Sequence, residues 1–268
     1  MKLAPPPAAK SMSVDEVSHR KYHHYLTNVI DVDIHKVIWN AEGRSAAVLD
    51  KYYDGIGKDK CAAIESVALD GARTYISSTE KHAVNALIVC DKFHIVAKLN
   101  KAVDDVRKSE LKNARSNENK ELVDLIGCKQ RFILLKNRNA LTEKQSGYLE
   151  RLCAINKPIY EAMLLKESFL RLYSCSTEEE ARRYLNTWLS ESYKSGLKHF
   201  HEIADSFLRR FKYLMNWFKR KISSAISEGF NNKIKRLKRM AYGYRDVDYF
   251  LLKIHQHCGL LNPRLSIL

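Results

Sequence analysis

The long strand-like runs of this chain fall in its first ninety-five residues, and from about Val96 onward the spacing is helical, with no strand-like run longer than QRFILL (130–135). SMSVDEVS (residues 11–18) is short and apolar-rich. HHYLTNVIDVD (23–33) alternates, and HKVIWN (35–40) follows an Asp-rich turn and runs into a second turn at AEGR. Three neighbouring runs joined by tight turns predict an antiparallel meander. SAAVLDKYYDGI (45–56) has helical spacing and stops at Gly55 and Gly57, IESVALD (64–70) is a buried strand closed by Asp70-Gly71, GARTYISSTEKHAV (71–84) is a helix, and ALIVCDKFHI (86–95) is a further buried strand. The order β-β-β-α-β-α-β predicts an α/β fold: a mixed sheet with helices on its faces and its last two strands parallel.

The rest divides by charge and spacing. Residues 109–205 read as an all-helical insertion, broken at Asn156-Lys157-Pro158 and at SCSTEEE, where Ser176 or Thr177 followed by Glu179 and Glu180 marks a helix start of capping-box type. Residues 13–108 then form the first part of the core and 206–254 its last part, with one long helical region from Phe207 to Met240. The Pro/Ala-rich leader, 1–12, is expected to be disordered, and residues 255–268 to form a tail.

Forty-six basic against 31 acidic residues leave a formal charge of +15, which points to a polyanionic partner, nucleic acid before others. The six cysteines have no CxxC pairing, which excludes a zinc ribbon and a disulfide framework and fits reduced thiols in a cytosolic setting. No apolar run approaches the ~18 residues of a membrane span.

Between Arg209 and Arg245 there are twelve Lys and Arg residues and one acid, Glu228. At 100° per residue, Ile222, Ile226, Phe230, Ile234, Leu237 and Ala241 share one stripe, while Glu228, Asn232, Lys235 and Arg239 share the opposite face. Such a helix buries one side and offers a carboxylate, an amide and two cations on the other. The carboxylate reads as a metal ligand set where a polyanion is drawn in, or as a chance acid on a surface helix.

Two more acids hold comparable positions. Asp15 lies inside the first strand, and Asp70 closes a buried strand, the place where functional groups gather in sheets with parallel strands. With Glu228 they would make a three-carboxylate cluster suited to a hard divalent cation. Duller readings stand beside these: Asp15 as a strand acid paired with Arg20 or Lys21, and Asp70 as a helix N-cap. Asp91 is a fourth site acid or a structural brace, and His94 a hydrogen-bonded histidine near the site rather than a ligand. His23-His24 and His255-His257 lack zinc spacing and read as surface or packing residues. Tyr242 and Tyr244 read as packing residues, with base stacking as the alternative.

Taken in order, VDEVSHRKYHHYLTNVIDVD, VALDGARTYI, ALIVCDKFHIVAKLNKAVDDVR and SEGFNNKIKRLKRMAYGYRDVDYF resemble the DDE transposases of the ISL-three insertion-sequence family. The resemblance runs through most of Ser13 to Pro263 and is weakest in the helical middle. It implies a ribonuclease H-like core interrupted by a helical insertion before its last catalytic helix. It also implies an acidic triad of Asp15, Asp70 and Glu228 holding two Mg²⁺ ions, with Mn²⁺ able to substitute. DKFHI, with Asp91 and His94, occupies the place of a polar motif ending in His, and Asp70 is preferred to Asp91 as second acid because a Gly-containing turn follows it. On this resemblance the partners are double-stranded DNA (transposon ends and target) and a second copy of the chain, in the bacterial cytoplasm at the nucleoid. Lys221, Lys235, Arg236 and Arg239 would hold phosphates and Asn232 would support the site. Family members typically also carry an N-terminal Cys/His zinc element and helix-turn-helix that this sequence does not include; if this is the whole natural product, sequence-specific end recognition is in doubt. The competing readings are a catalytically incompetent remnant that only binds DNA or inhibits, another ribonuclease H-like nuclease, and a basic helical nucleic-acid-binding protein.

Overall fold

The computed structural model describes residues 6–20, 24–127, 131–136, 140–222 and 225–261. The chain forms two compact units, Met1–His94 with Lys212–Leu268, and Ile95–Phe211. The first unit is thus assembled from two separate stretches of sequence.

Its centre is a five-stranded sheet in the order β3-β2-β1-β4-β5, built from β1 (Ser11–Arg20), β2 (His24–Asp31), β3 (Lys36–Glu42), β4 (Ser66–Leu69) and β5 (Leu87–Cys90). The meander β1-β2-β3 is antiparallel as expected, and β4 runs parallel to both β1 and β5. A bulge in β3 sets Trp39 opposite Val29 but Val37 opposite Ile30, so Ile38 and Trp39 both turn to one side while Val37 faces the other.

Each face has its own apolar core. On one side Met12, Val14, Val29 and Val67 pack with Leu49, Tyr52 and Tyr53 of α1 (Ala46–Ile56) and with Tyr75 and Ile76 of α3 (Arg73–His82). A short helix, α2 (Lys58–Ala62), intervenes between α1 and β4; its five residues are too few to show a helical stripe in sequence. On the other side Val17, Leu26, Ile30 and Val37 pack with Ile234 of α12 (Ala225–Met240) and with Phe250, Ile254 and Cys258 of α13 (Val247–Cys258). Burying side chains of this size contributes ~1.5–3 kcal/mol each.

Several boundaries differ from the sequence reading. β5 ends at Cys90, and Lys-Phe-His-Ile, expected to continue the strand, opens α4 (Lys92–Ser116) instead. The amide of Phe93 is taken by the Asp91 carboxylate at 3.1 Å, which starts the turn. β1 begins at Ser11, with Ala9 and Met12 buried, whereas residues 1–5 of the leader lie outside the described residues. The region from Phe207 to Met240 is not one helix. It comprises the end of α10 (Lys198–Arg209), then α11 (Phe211–Lys219), then α12. At the other end of the chain, residues 255–258 close α13, and 262–268 lie outside the described residues.

In the second unit every described regular element is helical: the body of α4, α5 (Lys120–Ile126), α6 (Arg131–Leu135), α7 (Glu143–Ile155), α8 (Lys157–Arg171), a 3-10 turn (Leu172–Ser174), α9 (Glu178–Lys194) and α10. Local chemistry sets the helix starts. Asn119, Thr142, Asn156 and Thr177 each accept a backbone N–H two or three residues into the following helix. Of the two expected candidates, Ser176 and Thr177, Thr177 is the cap, and Glu180 reaches back to the Ser176 amide at 2.8 Å. Phe169, Trp188 and Phe207 pack ring against ring at the unit's centre, and Trp188 Nε1 donates to the Leu165 carbonyl at 2.8 Å.

Candidate active site

The parallel register brings three acids into line. Val14 pairs with Leu69 and Leu69 with Cys90, so the next residues, Asp15, Asp70 and Asp91, stand side by side at one edge of the sheet. For Asp70 and Asp91 this edge is the carboxyl end of a strand, where side chains leave the ladder and can converge. Gly71, at φ +84°, makes the turn behind Asp70. Asp70 accepts the Ala72 amide at 2.6 Å; Ala72, not Asp70, is the N-cap of α3, so the acid braces the turn ahead of the helix.

Asp15 is buried; its Oδ1 accepts the Glu16 amide at 2.7 Å, and its side-chain partners come from two other elements. Asn231 of α12 donates Nδ2 to Asp15 Oδ2 at 2.8 Å, and His94 Nε2, in the first turn of α4, lies 3.8 Å from Oδ1. That second distance is an ion-pair contact rather than a hydrogen bond. The expected alternative, a pairing of Asp15 with Arg20, is not formed: Arg20 donates to the carbonyls of Tyr244 and Arg245 instead. Lys21 lies outside the described residues. Asp91 is 1% exposed, and its Oδ2 sits 3.7 Å from His94 Nε2 without a hydrogen-bond partner.

The electrostatics follow from this crowding. Interaction with Asp15 raises the His94 imidazole above its ordinary value against the cost of burial, and the charges of Asp91 and Asp70 add to it. Glu16, on the other face of β1, is also raised, first by burial and then by the Asp70 charge. This group of carboxylates carries more negative charge than its histidine balances.

The lone acid of the basic segment lies one residue from this contact. Ser227 of α12 donates to Ser13 Oγ at 2.6 Å, and with Asn231 it fixes the first turns of the helix on β1. Glu228, between them, is exposed. Asn232, Lys235, Arg236 and Arg239 are exposed as well, as is Lys221 just ahead of the helix, where its ammonium lies 5.4 Å from the Trp217 ring centroid. Ile234 is buried, and Ile226, Phe230 and Leu237 are half-buried against the same core, so the predicted apolar stripe is largely the packed one; Ala241, beyond the helix end, is exposed.

The amide at the acids therefore belongs to Asn231 and not to Asn232, and sequence reasoning missed it. The available signal was the spacing Ser227-Asn231-Ile234, which puts two small polar residues on the buried side of the helix. The ligand atoms of Asp15, Asp70 and Glu228 are not within 4.8 Å of one another; among the described residues only His19, His24 and Glu42 form such a group. The carboxylate oxygens at the strand ends, those of Asp15 and Asp70 beside the buried and unpartnered Oδ2 of Asp91, are of the kind a hard divalent ion takes. Tyr244 stacks on Phe250 at 4.5 Å, the packing role expected of it, whereas Tyr242 is fully exposed at φ +50°.

The three acids thus stand in one row, and α12, with Lys235, Arg236 and Arg239 exposed, packs on the sheet face beside the first of them. Residues 12–254 match the transposase family of ISL-three DDE type, and the chain belongs to that family. It is 30% identical over 244 residues to the transposase for insertion sequence element IS1001 of Bordetella parapertussis, covering 91% of this chain and 59% of that protein. It is 29% identical over 254 residues to the transposase for insertion sequence element IS1557 of Mycobacterium tuberculosis, covering 88% and 57%. The chain thus spans under two thirds of the length of these relatives. No helix among the described residues is long and apolar enough to cross a membrane.

Proposed function

We propose that this chain is the catalytic part of an insertion-sequence transposase, which cuts DNA strands at the element's ends and joins them to target DNA. The observation that carries the reading is the alignment of Asp15, Asp70 and Asp91 across three neighbouring strands, with the helix bearing Glu228 pinned to the first of them. We take the sheet unit as a ribonuclease H-like core whose two parts, residues 13–108 and 206–254, are separated by a helical insertion, 109–205. The assembly of one compact unit from two stretches of chain supports this division.

Asp15, Asp70 and Glu228 are the proposed ligands of two Mg²⁺ ions, for which Mn²⁺ can substitute. When bound, such ions activate water for in-line attack and stabilise the leaving 3′ oxygen. Asp91 and His94 support the site by holding charge beside Asp15, and Asn231 orients the Asp15 carboxylate. Lys221, Lys235, Arg236 and Arg239 hold backbone phosphates, giving salt-dependent affinity with little sequence preference. Hydrolysis of one phosphodiester frees a 3′ hydroxyl. That hydroxyl then attacks a target phosphodiester, forming one P–O bond as another breaks, so no Ser or Tyr nucleophile and no covalent protein intermediate is required. The partners on this reading are double-stranded DNA and a second copy of the chain, since two ends must be brought together.

The test is incubation of the chain with a pre-cut transposon end, plasmid and Mg²⁺, scored for joined products. Glu228→Gln is expected to abolish nicking and joining while DNA binding persists, and retained Mg²⁺-dependent nicking by that variant refutes the assignment. Cleavage of branched DNA without joining indicates a different ribonuclease H-like nuclease. Binding without chemistry in the unaltered chain indicates a non-catalytic DNA-binding fragment.

A further inference from the structure

At the end of the sheet that carries His19, the alternation of β1, β2 and β3 puts three metal-type side chains on one face. Val17 pairs with Leu26 and Leu26 with Glu42, and all three point to the side covered by α12 and α13. Two residues along from Leu26, His24 returns to that side. A register irregularity between Ser18 and Arg20 brings His19 in beside it. The two imidazoles meet edge to face with centroids 5.9 Å apart.

Both rings address the same oxygen. His19 Nε2 is 3.3 Å and His24 Nδ1 3.6 Å from Glu42 Oε1, and all three donor atoms lie within 4.8 Å of one another. These separations are long for hydrogen bonds. They match the ligand-to-ligand edges of about 3.3–3.5 Å that follow from Zn–N and Zn–O bonds near 2.0–2.2 Å in a tetrahedron. A second observation points the same way. His19 is 4% exposed, yet its buried Nε2 has no hydrogen-bond partner, so the nearby carboxylate oxygen is not aligned to receive a proton from it. A buried imidazole nitrogen left in this state is costly unless something else fills the gap.

We propose that His19, His24 and Glu42 form a binding site for a Zn²⁺-class ion, separate from the carboxylates at Asp15, Asp70 and Asp91. The chemistry of the two donor sets sorts the ions: two imidazoles and one carboxylate suit a borderline metal such as Zn²⁺ or Co²⁺, whereas an all-oxygen set suits Mg²⁺. Three protein ligands leave a fourth position for water. His24 and Glu42 have half-exposed side chains, so an ion reaches the site from solvent. The bound ion would clip the β1–β2 end of the sheet to the last residue of β3. Arg20, next to His19, already holds the carbonyls of Tyr244 and Arg245 beyond α12, so the clip would stiffen the platform under that segment as well.

The test uses the full chain, stripped with a chelator and titrated with Zn²⁺ in millimolar Mg²⁺, followed by calorimetry and thermal melting. Co²⁺ serves as the visible-absorption probe. One Zn²⁺ per chain is expected, with a rise in Tm that Mg²⁺ does not reproduce and absorption bands typical of tetrahedral nitrogen and oxygen ligation. His24→Gln and Glu42→Gln, at half-exposed positions that tolerate change, are each expected to weaken Zn²⁺ binding by at least about tenfold and to remove the Tm rise. Unaltered Zn²⁺ affinity in both variants, or no Zn²⁺-dependent Tm shift in the parent chain, overturns the proposal.

Discussion

Removing the Asn231 amide isolates the contact that joins α12 to the acid edge. Its Nδ2 donates to Asp15 Oδ2 at 2.8 Å in a setting where both residues are buried. A hydrogen bond to a charged group contributes about 1.5–3 kcal/mol. If Asn231→Ala loses that whole amount in the transition state for strand cleavage, the rate falls about 10- to 150-fold, at 1.36 kcal/mol per decade. Asn231→Asp is the harsher change, because it sets a second carboxylate against the first. Two like charges about 4 Å apart at an effective dielectric near 20 repel by about 4 kcal/mol. The pair then keeps a proton some three pH units higher than an isolated carboxylate. Starting from the ~3.9 of an isolated Asp, the shared proton is lost around neutral pH, so the Asp variant is expected to be nearly inactive about one to two pH units below neutral and to recover as pH rises through it, whereas the Ala variant is uniformly slow. The assay is joining of a pre-cut end to plasmid across a pH series, with circular dichroism and thermal melting to establish that each variant folds. Asn232→Ala, at an exposed position one residue along, is expected to stay within about threefold of the unaltered chain. A larger loss from Asn232→Ala than from Asn231→Ala refutes the reasoning.

Replacing Lys235, Arg236 and Arg239 together by Ala is expected to flatten the dependence of log K on log salt by up to about 2.7, at ~0.9 per phosphate contact on duplex DNA; an unchanged slope in filter binding places the DNA elsewhere. Asp50 accepts from Ser78 Oγ at 2.5 Å and from Lys81 Nζ at 3.2 Å, and the Ser78 hydrogen bond holds its carboxyl below the ordinary 3.8. Because the folded state then binds fewer protons than the unfolded chain, its stabilisation is present above the ordinary value and lost as pH falls through the depressed one. Asp50→Asn should accordingly cost about 1–2 kcal/mol at pH 7, after allowance for partial exposure. It should cost less at the acid end, read by urea denaturation at pH 7 and near pH 3; an equal loss at both pH values contradicts the assignment. Phe169→Ala removes a fully buried ring from between Trp188 and Phe207 and is expected to destabilise the helical unit by about 3–5 kcal/mol in denaturant melts. A loss under 1 kcal/mol would mean the three rings repack around the gap.

How much of this was legible in the sequence depends on how local the determining physics is. The meander, α1 and the parallel pair β4–β5 were readable because alternation and turn chemistry act over a few residues. So was the apolar stripe of α12, since Ile226, Phe230, Ile234 and Leu237 repeat at helical spacing. Lys92 to Ile95 misled because its apolar residues extend a strand-like run, while the deciding event, capture of the Phe93 amide by Asp91, is a polar interaction that periodicity does not register. That same event turns the chain so that His94 comes to lie between Asp15 and Asp91. The alignment of Asp15, Asp70 and Asp91 could be anticipated only in part. It needs the register of two parallel pairings, fixed between residues as far apart in the chain as Val14 and Leu69. Asn231 escaped for a related reason: reading a helix by its hydrophobic residues assigns its polar ones to solvent. Here Ser227 and Asn231 are buried, because the strand beneath them presents Ser13 and Asp15 rather than an apolar surface. Polar residues on the buried side of a helix are paired at a cost in desolvation, so they stay where a specific partner is fixed opposite. In this protein that partner is the acid at the centre of the proposed site.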